Sequence, residues 1–217
     1  MGRLEVDLHL PSFVLFLLAA LAIALSPGPG IFYVAARTLA GGRAEGLAST
    51  FGTGLGGLVH VAAGAIGVSA LVLASAEAFA VLKFGGALYL VWLGFKTFRQ
   101  SRVVPDVSIE ACGSKRAFRE GILVEALNPK TAAFFLAFLP QFVDPSAGPV
   151  WLQFLGLGLV SVALNTAVDV FVAFVAARAR SVAVARPTLL QRLRQGSGVV
   201  IAGLGFSLLF ARRPAPL

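Results

Sequence analysis

The sequence predicts an all-α integral membrane protein of about six transmembrane helices, arranged as two inverted three-helix repeats with the first helix of each half broken at proline. Three observations carry that prediction. Hydrophobic types make up 58% of the 217 residues and charged types 13%, against about 25% charged in ordinary soluble domains. Uncharged runs reach membrane-spanning length, about 20 residues: residues 8–36 hold no carboxylate, Lys or Arg, and neither do residues 46–76. Prolines then interrupt two of the apolar segments at related places.

The apolar segments run near 11–36, 46–74, 78–98, 118–141, 150–177 and 196–211. The first reads as a retained helix rather than a cleaved leader. Arg3 is outweighed by Glu5 and Asp7, whereas leader peptides open on a basic region, and apolar character continues past Pro27 and Pro29. The second carries Gly52 and Gly56, a spacing that marks close helix approach, either within the protomer or between copies in a homo-oligomer. The third holds Lys83 near one end, where a long side chain snorkels to the interface, and Tyr89 and Trp92, read as packing residues or interface anchors. The sixth is short, so it crosses with little tilt or barely spans.

Thirteen of the eighteen Lys and Arg residues fall in the connections 1–2, 3–4 and 5–6. That asymmetry assigns these loops to the cytoplasm and both termini to the outside; if the sixth segment does not cross, the C-terminus lies inside. The formal net charge of +8 is thus an orientation signal, not a nucleic-acid footprint. Cys112 is the only cysteine, which leaves no intramolecular disulfide, CxxC pair or Cys-rich metal site. No cofactor is expected, and no Walker A pattern occurs.

The longest connection, residues 99–117, is polar and contains Pro105 and Gly113. It joins two halves, about 11–98 and 118–211, of one transporter domain. "ALSPGP" (24–29) aligns with "ALNPKT" (126–131), "FGTGL" (51–55) with "LGLGL" (155–159), and "FGGALYLVWLGF" (84–95) with "QGSGVVIAGLGF" (195–206). The offsets, 102, 104 and 111, rise in order along the chain. Three spans per half require the second half to enter the membrane inverted, the plan of many secondary transporters.

This repeat sets Pro27 opposite Pro129. An interior proline removes a helical hydrogen bond and costs roughly 3 kcal/mol. In lipid the freed backbone groups must pair with protein or line a cavity. Half-helix N-termini suit a carboxylate, and freed carbonyls suit an ammonium or cation; an amino acid has both groups. Ser26, Pro27, Gly28, Pro29, Asn128, Pro129 and Lys130 are therefore the expected substrate path, the alternative being two kinks that serve packing alone.

At these residues the chain resembles the LysE/RhtB family of amino-acid exporters. The resemblance rests on "SPGP" in segment one, on "LKFGGALYLVWLG" (82–94), on "FREGILVEALNPKTAAFF" (118–135) around an Asn-Pro-Lys core, and on His60 after "GTGLGGLV". The motifs occur in family order, and the likeness runs from about residue 12 to 210. It implies a plasma-membrane exporter of amino acids or close derivatives, driven by the proton gradient. Glu125 departs from the family pattern, which favours a polar uncharged residue there.

Glu125 and Asp169 are the two acids deep in apolar segments, where a charge costs at least about 2.5–3.5 kcal/mol by insertion scales. Glu125 shares a helix face with Asn128 and reads as a binder of a substrate ammonium or a proton carrier, unless it reaches solvent near the interface. Asn165 and Asp169, four apart, continue a polar stripe from Ser161; they line a cavity or bond between helices. Lys130 pairs with Glu125 or Asp169, or attracts a substrate carboxylate. His60 is a proton shuttle, its reference pKa being about 6.5, or a packed neutral histidine making one hydrogen bond. The expected partners are a small amino acid, protons and lipid. The rival readings are a membrane scaffold or channel without coupled transport, and a thiol-disulfide carrier, which would need two cysteines. A hydrolase would need a GxSxG or HExxH motif, and neither is present.

Overall fold

A computed structural model describes residues 10–74, 76–99 and 110–178, and beyond them residues 192, 195, 199, 201–207 and 209. The charges Arg3, Glu5 and Asp7 and residues 100–109 of the central linker lie outside the described residues, as do 196–198, 200, 208, 210 and 211 of the sixth apolar segment (196–211). Among the described residues the chain is helical, with no strand.

Helix α1, Leu10–Leu25, is an uninterrupted apolar stretch. It stops where Ser26 and Gly28 each precede a proline, a position that disfavours helical dihedrals. Helix α2, Pro29–Ala74, starts with proline at its first position, where the ring's fixed φ is favourable and the missing N–H costs nothing. Residues 37–45, a connecting loop by hydropathy, are helical on both sides of one residue, Gly42, with φ 74° and ψ −166°. Ala, Arg and Glu in this stretch favour helix, and only glycine takes that left-handed φ without strain. The turn in direction is thus concentrated at a single site.

Helix α3, Ala76–Arg99, has Glu77 in its first turn and Lys96 and Arg99 in its last, matching both ends of the helix dipole. Helix α4, Ser114–Ala126, and helix α5, Pro129–Ala133, form a pair bent by 40° at Leu127–Asn128. From α5 the chain runs through one π turn, Phe134–Phe138, and a 3-10 turn, Leu139–Phe142. The irregular turns surround Pro140, which has no N–H to give to an α-helical ladder. A short 3-10 turn, Pro145–Ala147, leads into helix α6, Val150–Arg178, about 43 Å long at 1.5 Å per residue.

Among the described residues three helical stretches, within Pro29–Gly67, Ala80–Arg99 and Val150–Arg178, are long and apolar enough to cross a membrane, and the bent α4–α5 pair passes the same test as one span. Large apolar side chains such as Leu18, Val81, Leu88, Leu127 and Phe171 face outward, as a lipid-facing surface requires. The interior is built on Phe16, Phe134, Phe135, Phe138 and Phe154; the last four are linked by ring contacts, edge to face, stacked or tilted, at 5.5–6.2 Å.

Helix α2 makes the largest packing surfaces, against α4 and α6. Its Gly52 and Gly56 lie against α4: a Cβ at Gly52 would strike the carbonyl of Phe118, and one at Gly56 would come 2.5 Å from that of Ile122. Gly121 reciprocates, with a Cβ there 2.7 Å from the carbonyl of Ser49. The Gly52–Gly56 pair therefore serves packing within the protomer.

Candidate functional site

The α1–α2 break and the α4–α5 break meet in the interior, and each supplies what the other lacks. At the end of α1 helical N–H partners run out: Ile23 O accepts from the Ser26 N–H at 3.2 Å, and the Lys130 ammonium donates to that same Ile23 O at 3.0 Å and to Ser26 O, just past the helix, at 2.8 Å. This is a cation at a helix C-terminus, favoured by charge as well as by hydrogen bonding. Lys130 is only 4% exposed. Among the described residues it pairs with no carboxylate, so its partners are backbone groups rather than Glu125 or Asp169.

Asn128 caps α5, its Oδ1 accepting from Lys130 N at 3.0 Å. Its Nδ2 donates to Glu125 Oε2 at 2.8 Å, and the Thr131 hydroxyl donates to Glu125 Oε1 at 2.6 Å. Both oxygens of this buried carboxylate, 3% exposed, thus have a neutral donor. His60 donates from Nε2 to the backbone carbonyl of Glu125 at 2.9 Å and stacks on Phe135.

The glycines of "SPGPG" make room for these charges. A Cβ at Gly28 would lie 3.1 Å from Lys130 Cε, and one at Gly30 would lie 2.6 Å from Glu125 Oε2. Ser26, Pro27, Gly28, Pro29, Glu125, Asn128, Pro129, Lys130 and His60 therefore form one connected region. Sequence reasoning missed Gly30 and Thr131 as parts of it. Gly30 had a visible signal, a second glycine just inside a helix start, but its neighbour lies 95 residues away in the chain.

Asp169 stands apart. It is fully buried on α6, and its Oδ2 accepts from the Thr53 hydroxyl at 2.9 Å. Its Oδ1 has no hydrogen-bond partner among the described residues, nor has Thr50 Oγ1. Asn165, one turn earlier, shares with Glu125, Thr53, Thr131 and Ser161 an interior cavity of about 20 Å³, room for about one water molecule. A second cavity, of about 230 Å³, lies beside the last turns of α3; Pro27, Gly28, Pro29, Lys96, Pro129 and Lys130 are among its walls.

On the linker side, Arg37 bonds Glu120, the Tyr33 hydroxyl and the carbonyl of Glu110. Arg116 donates to Glu120 at 2.7 Å. The Glu45 carboxylate accepts from the backbone N–H of Cys112 at 2.8 Å and of Gly113 at 2.7 Å, tying the chain just ahead of α4 to α2. Burial pushes the Cys112 thiol up from its ordinary value, with Arg37 opposing the shift.

A family profile for the LysE type translocator matches residues 21–212. The chain belongs to the LysE-type translocators. It is 33% identical over 156 residues to a homoserine/homoserine lactone efflux protein of Salmonella typhimurium, covering 70% of this chain and 74% of that protein. It is 28% identical over 150 residues to a leucine efflux protein of Klebsiella pneumoniae, covering 68% of this chain and 71% of that one. An uncharacterized membrane protein of Vibrio cholerae is 31% identical over 208 residues, 95% of this chain and 99% of its own length. No solved structure matches. This LysE-type translocator is accordingly a multi-pass membrane transporter and not an enzyme.

Proposed function

We propose that the protein exports amino acids or close derivatives across the plasma (inner) membrane, coupled to the proton gradient, through six spans in two inverted three-helix halves. The observation that carries the reading is the meeting of the two proline breaks around a buried Lys130 and a buried Glu125. Intramembrane ionisable groups usually serve a substrate or ion pathway. Ser26, Pro27, Gly28, Pro29, Asn128, Pro129 and Lys130 form the substrate path in this reading, and the larger cavity is its opening.

Glu125 and Asp169 carry protons. The Thr53 hydroxyl lies 2.8 Å from the carbonyl of Thr50 and 2.9 Å from Asp169 Oδ2, yet a hydroxyl has one hydrogen to donate. Given to Asp169, that hydrogen supports the carboxylate. Given to Thr50, it leaves the hydroxyl oxygen to accept from a protonated Asp169. The pair therefore accommodates both protonation states without rearrangement. Asn165 and Ser161 line the small cavity together with Glu125 and Thr53, and His60 fixes the backbone at Glu125.

The relatives' names, homoserine, threonine and leucine efflux proteins, supply the first substrates to try. The protein is reconstituted into sealed vesicles loaded with each labelled amino acid, and a pH gradient is imposed. Gradient-accelerated flux that a protonophore abolishes is the expected result. Flux of every amino acid indifferent to the gradient refutes the coupling, and no protein-dependent flux of any amino acid refutes export.

A further inference from the structure

The 230 Å³ cavity is lined by two lysines, Lys96 and Lys130, and among its described lining residues there is no carboxylate. Lys96 lies exposed on the last turns of α3, its ammonium 4.8 Å from the centre of the Trp92 ring. Lys130 is buried at the inner end. An ammonium has three N–H donors. Two of those on Lys130 go to Ile23 O and Ser26 O, and among the described residues the third has no protein partner. Among the described lining residues the remaining polar side chain is Thr97, whose hydroxyl both donates and accepts, and the rest are apolar. The cavity is also about ten times larger than the interior one of about 20 Å³, so a substrate-sized occupant fits here and not there.

We propose that this cavity recognises the free carboxylate of the substrate, with Lys96 drawing it in and Lys130 receiving it, and that the carbonyls of Ile23 and Ser26 then pass from the Lys130 ammonium to the substrate's own. The proposal rests on the export reading above and assigns which of this chain's groups meet the carboxylate and the ammonium of such a substrate. A field of one sign inside low-dielectric walls concentrates counter-charged ligands. The seat on the end of α1 is built for one ammonium, and exchanging one ammonium for another conserves its hydrogen bonds and its charge. Lys130, once displaced, keeps its charge matched because it moves onto the arriving carboxylate. A lactone or ester lacks that carboxylate, so it has nothing to offer either lysine and cannot release the seat.

The test measures binding separately from transport. Purified wild type, Lys96→Gln and Lys130→Gln are titrated with homoserine, threonine and leucine and with the methyl ester of each, and binding is read from the ligand-dependent rise in melting temperature. Flux is measured in vesicles in parallel. The wild type is expected to bind at least one free acid more tightly than its ester, by about ten- to hundredfold, the worth of one charge-assisted hydrogen bond. Lys96→Gln weakens the acid and leaves the ester unchanged; Lys130→Gln removes the preference. A structural role for Lys130 would weaken acid and ester alike. Equal binding of acid and ester by wild type, binding of none of the acids, or a preference that survives in the variants overturns the proposal. If Lys130→Gln does not fold, Lys96→Gln decides, since its side chain lies on an exposed helix face. Acid-selective binding without protein-dependent flux refutes export while leaving the carboxylate site standing.

Discussion

Gly30→Ala isolates the contact between the two breaks. An added Cβ would lie 2.6 Å from Glu125 Oε2, closer than carbon and oxygen tolerate, and the carboxylate must move. It is tethered by Asn128 Nδ2 at that same oxygen and by Thr131 at the other. Moving Oε2 sacrifices at least the Asn128 bond, worth about 1.5–3 kcal/mol for a charged acceptor. Alanine returns up to about 1 kcal/mol of helix propensity. The net expectation is a loss of about 0.5–2 kcal/mol, a fall of several degrees in melting temperature at about 2–4 °C per kcal/mol for a chain of this size. Gly28→Ala is the control: its Cβ would be 3.1 Å from Lys130 Cε, a tight contact that a few tenths of an ångström relieves, so its effect is smaller. The decisive assay is a double-mutant cycle by thermal melting. In a Glu125→Ala background Gly30→Ala is expected to be neutral or stabilising, giving a coupling energy above about 0.5 kcal/mol between the two sites. Additive effects, or a Gly30→Ala protein that melts with wild type, would refute the contact as the reason for glycine at position 30.

Asn128→Ala removes both the α5 cap and the donor to Glu125; a combined loss of about 2–5 kcal/mol is expected, visible as poor recovery of folded protein by size-exclusion chromatography. Pro129→Ala, by contrast, changes a first helical position that Asn128 still caps, so the break persists and the melting temperature shifts little. Asp169→Asn keeps shape and hydrogen bonding to Thr53, so it is expected to fold while losing the gradient dependence of flux in vesicles; wild-type gradient dependence would remove Asp169 from coupling. Cys112 is expected to resist a membrane-impermeant thiol reagent in intact cells and to react after permeabilisation. Because its thiol titrates above the usual range and the thiolate is the reactive form, its labelling rate is expected to keep rising at alkaline pH where a free cysteine has already levelled off.

Helices stop at Leu25 and Ala126 and start at Pro29 and Pro129, beside the Ser26–Gly30 and Leu127–Pro129 stretches whose prolines and glycines act on their own backbone. Hydropathy located the apolar stretches because it too is local. It overestimated the connection at 37–45, since hydropathy registers Arg37, Arg43 and Glu45 as polar but not that a single left-handed residue, Gly42, turns the chain. Partners were not legible. Lys130 had two acids to choose from in the sequence and took backbone carbonyls 104 and 107 residues away. Gly52 and Gly56 announced close approach without saying to what, and only the placement of α4 decides it. Glu120 drew no reading from the sequence, yet it joins Arg37 and Tyr33 across more than 80 residues and Arg116 one turn away.

The seat of Lys130 also bears on how the protein is made. As the chain leaves the ribosome, α1 and α2 enter the bilayer well before α4 and α5 exist. During that interval the end of α1 has no lysine to cap it, and the glycine face of α2 has only lipid against it. Both deficits are met by the same later segment, Ser114–Lys130. The N-terminal half is therefore an unfinished object rather than a small independent unit. Split at the linker, the two halves are expected to be degraded when produced separately and to accumulate when produced together, because the later half completes the helix ends and the packing surface that the earlier one presents.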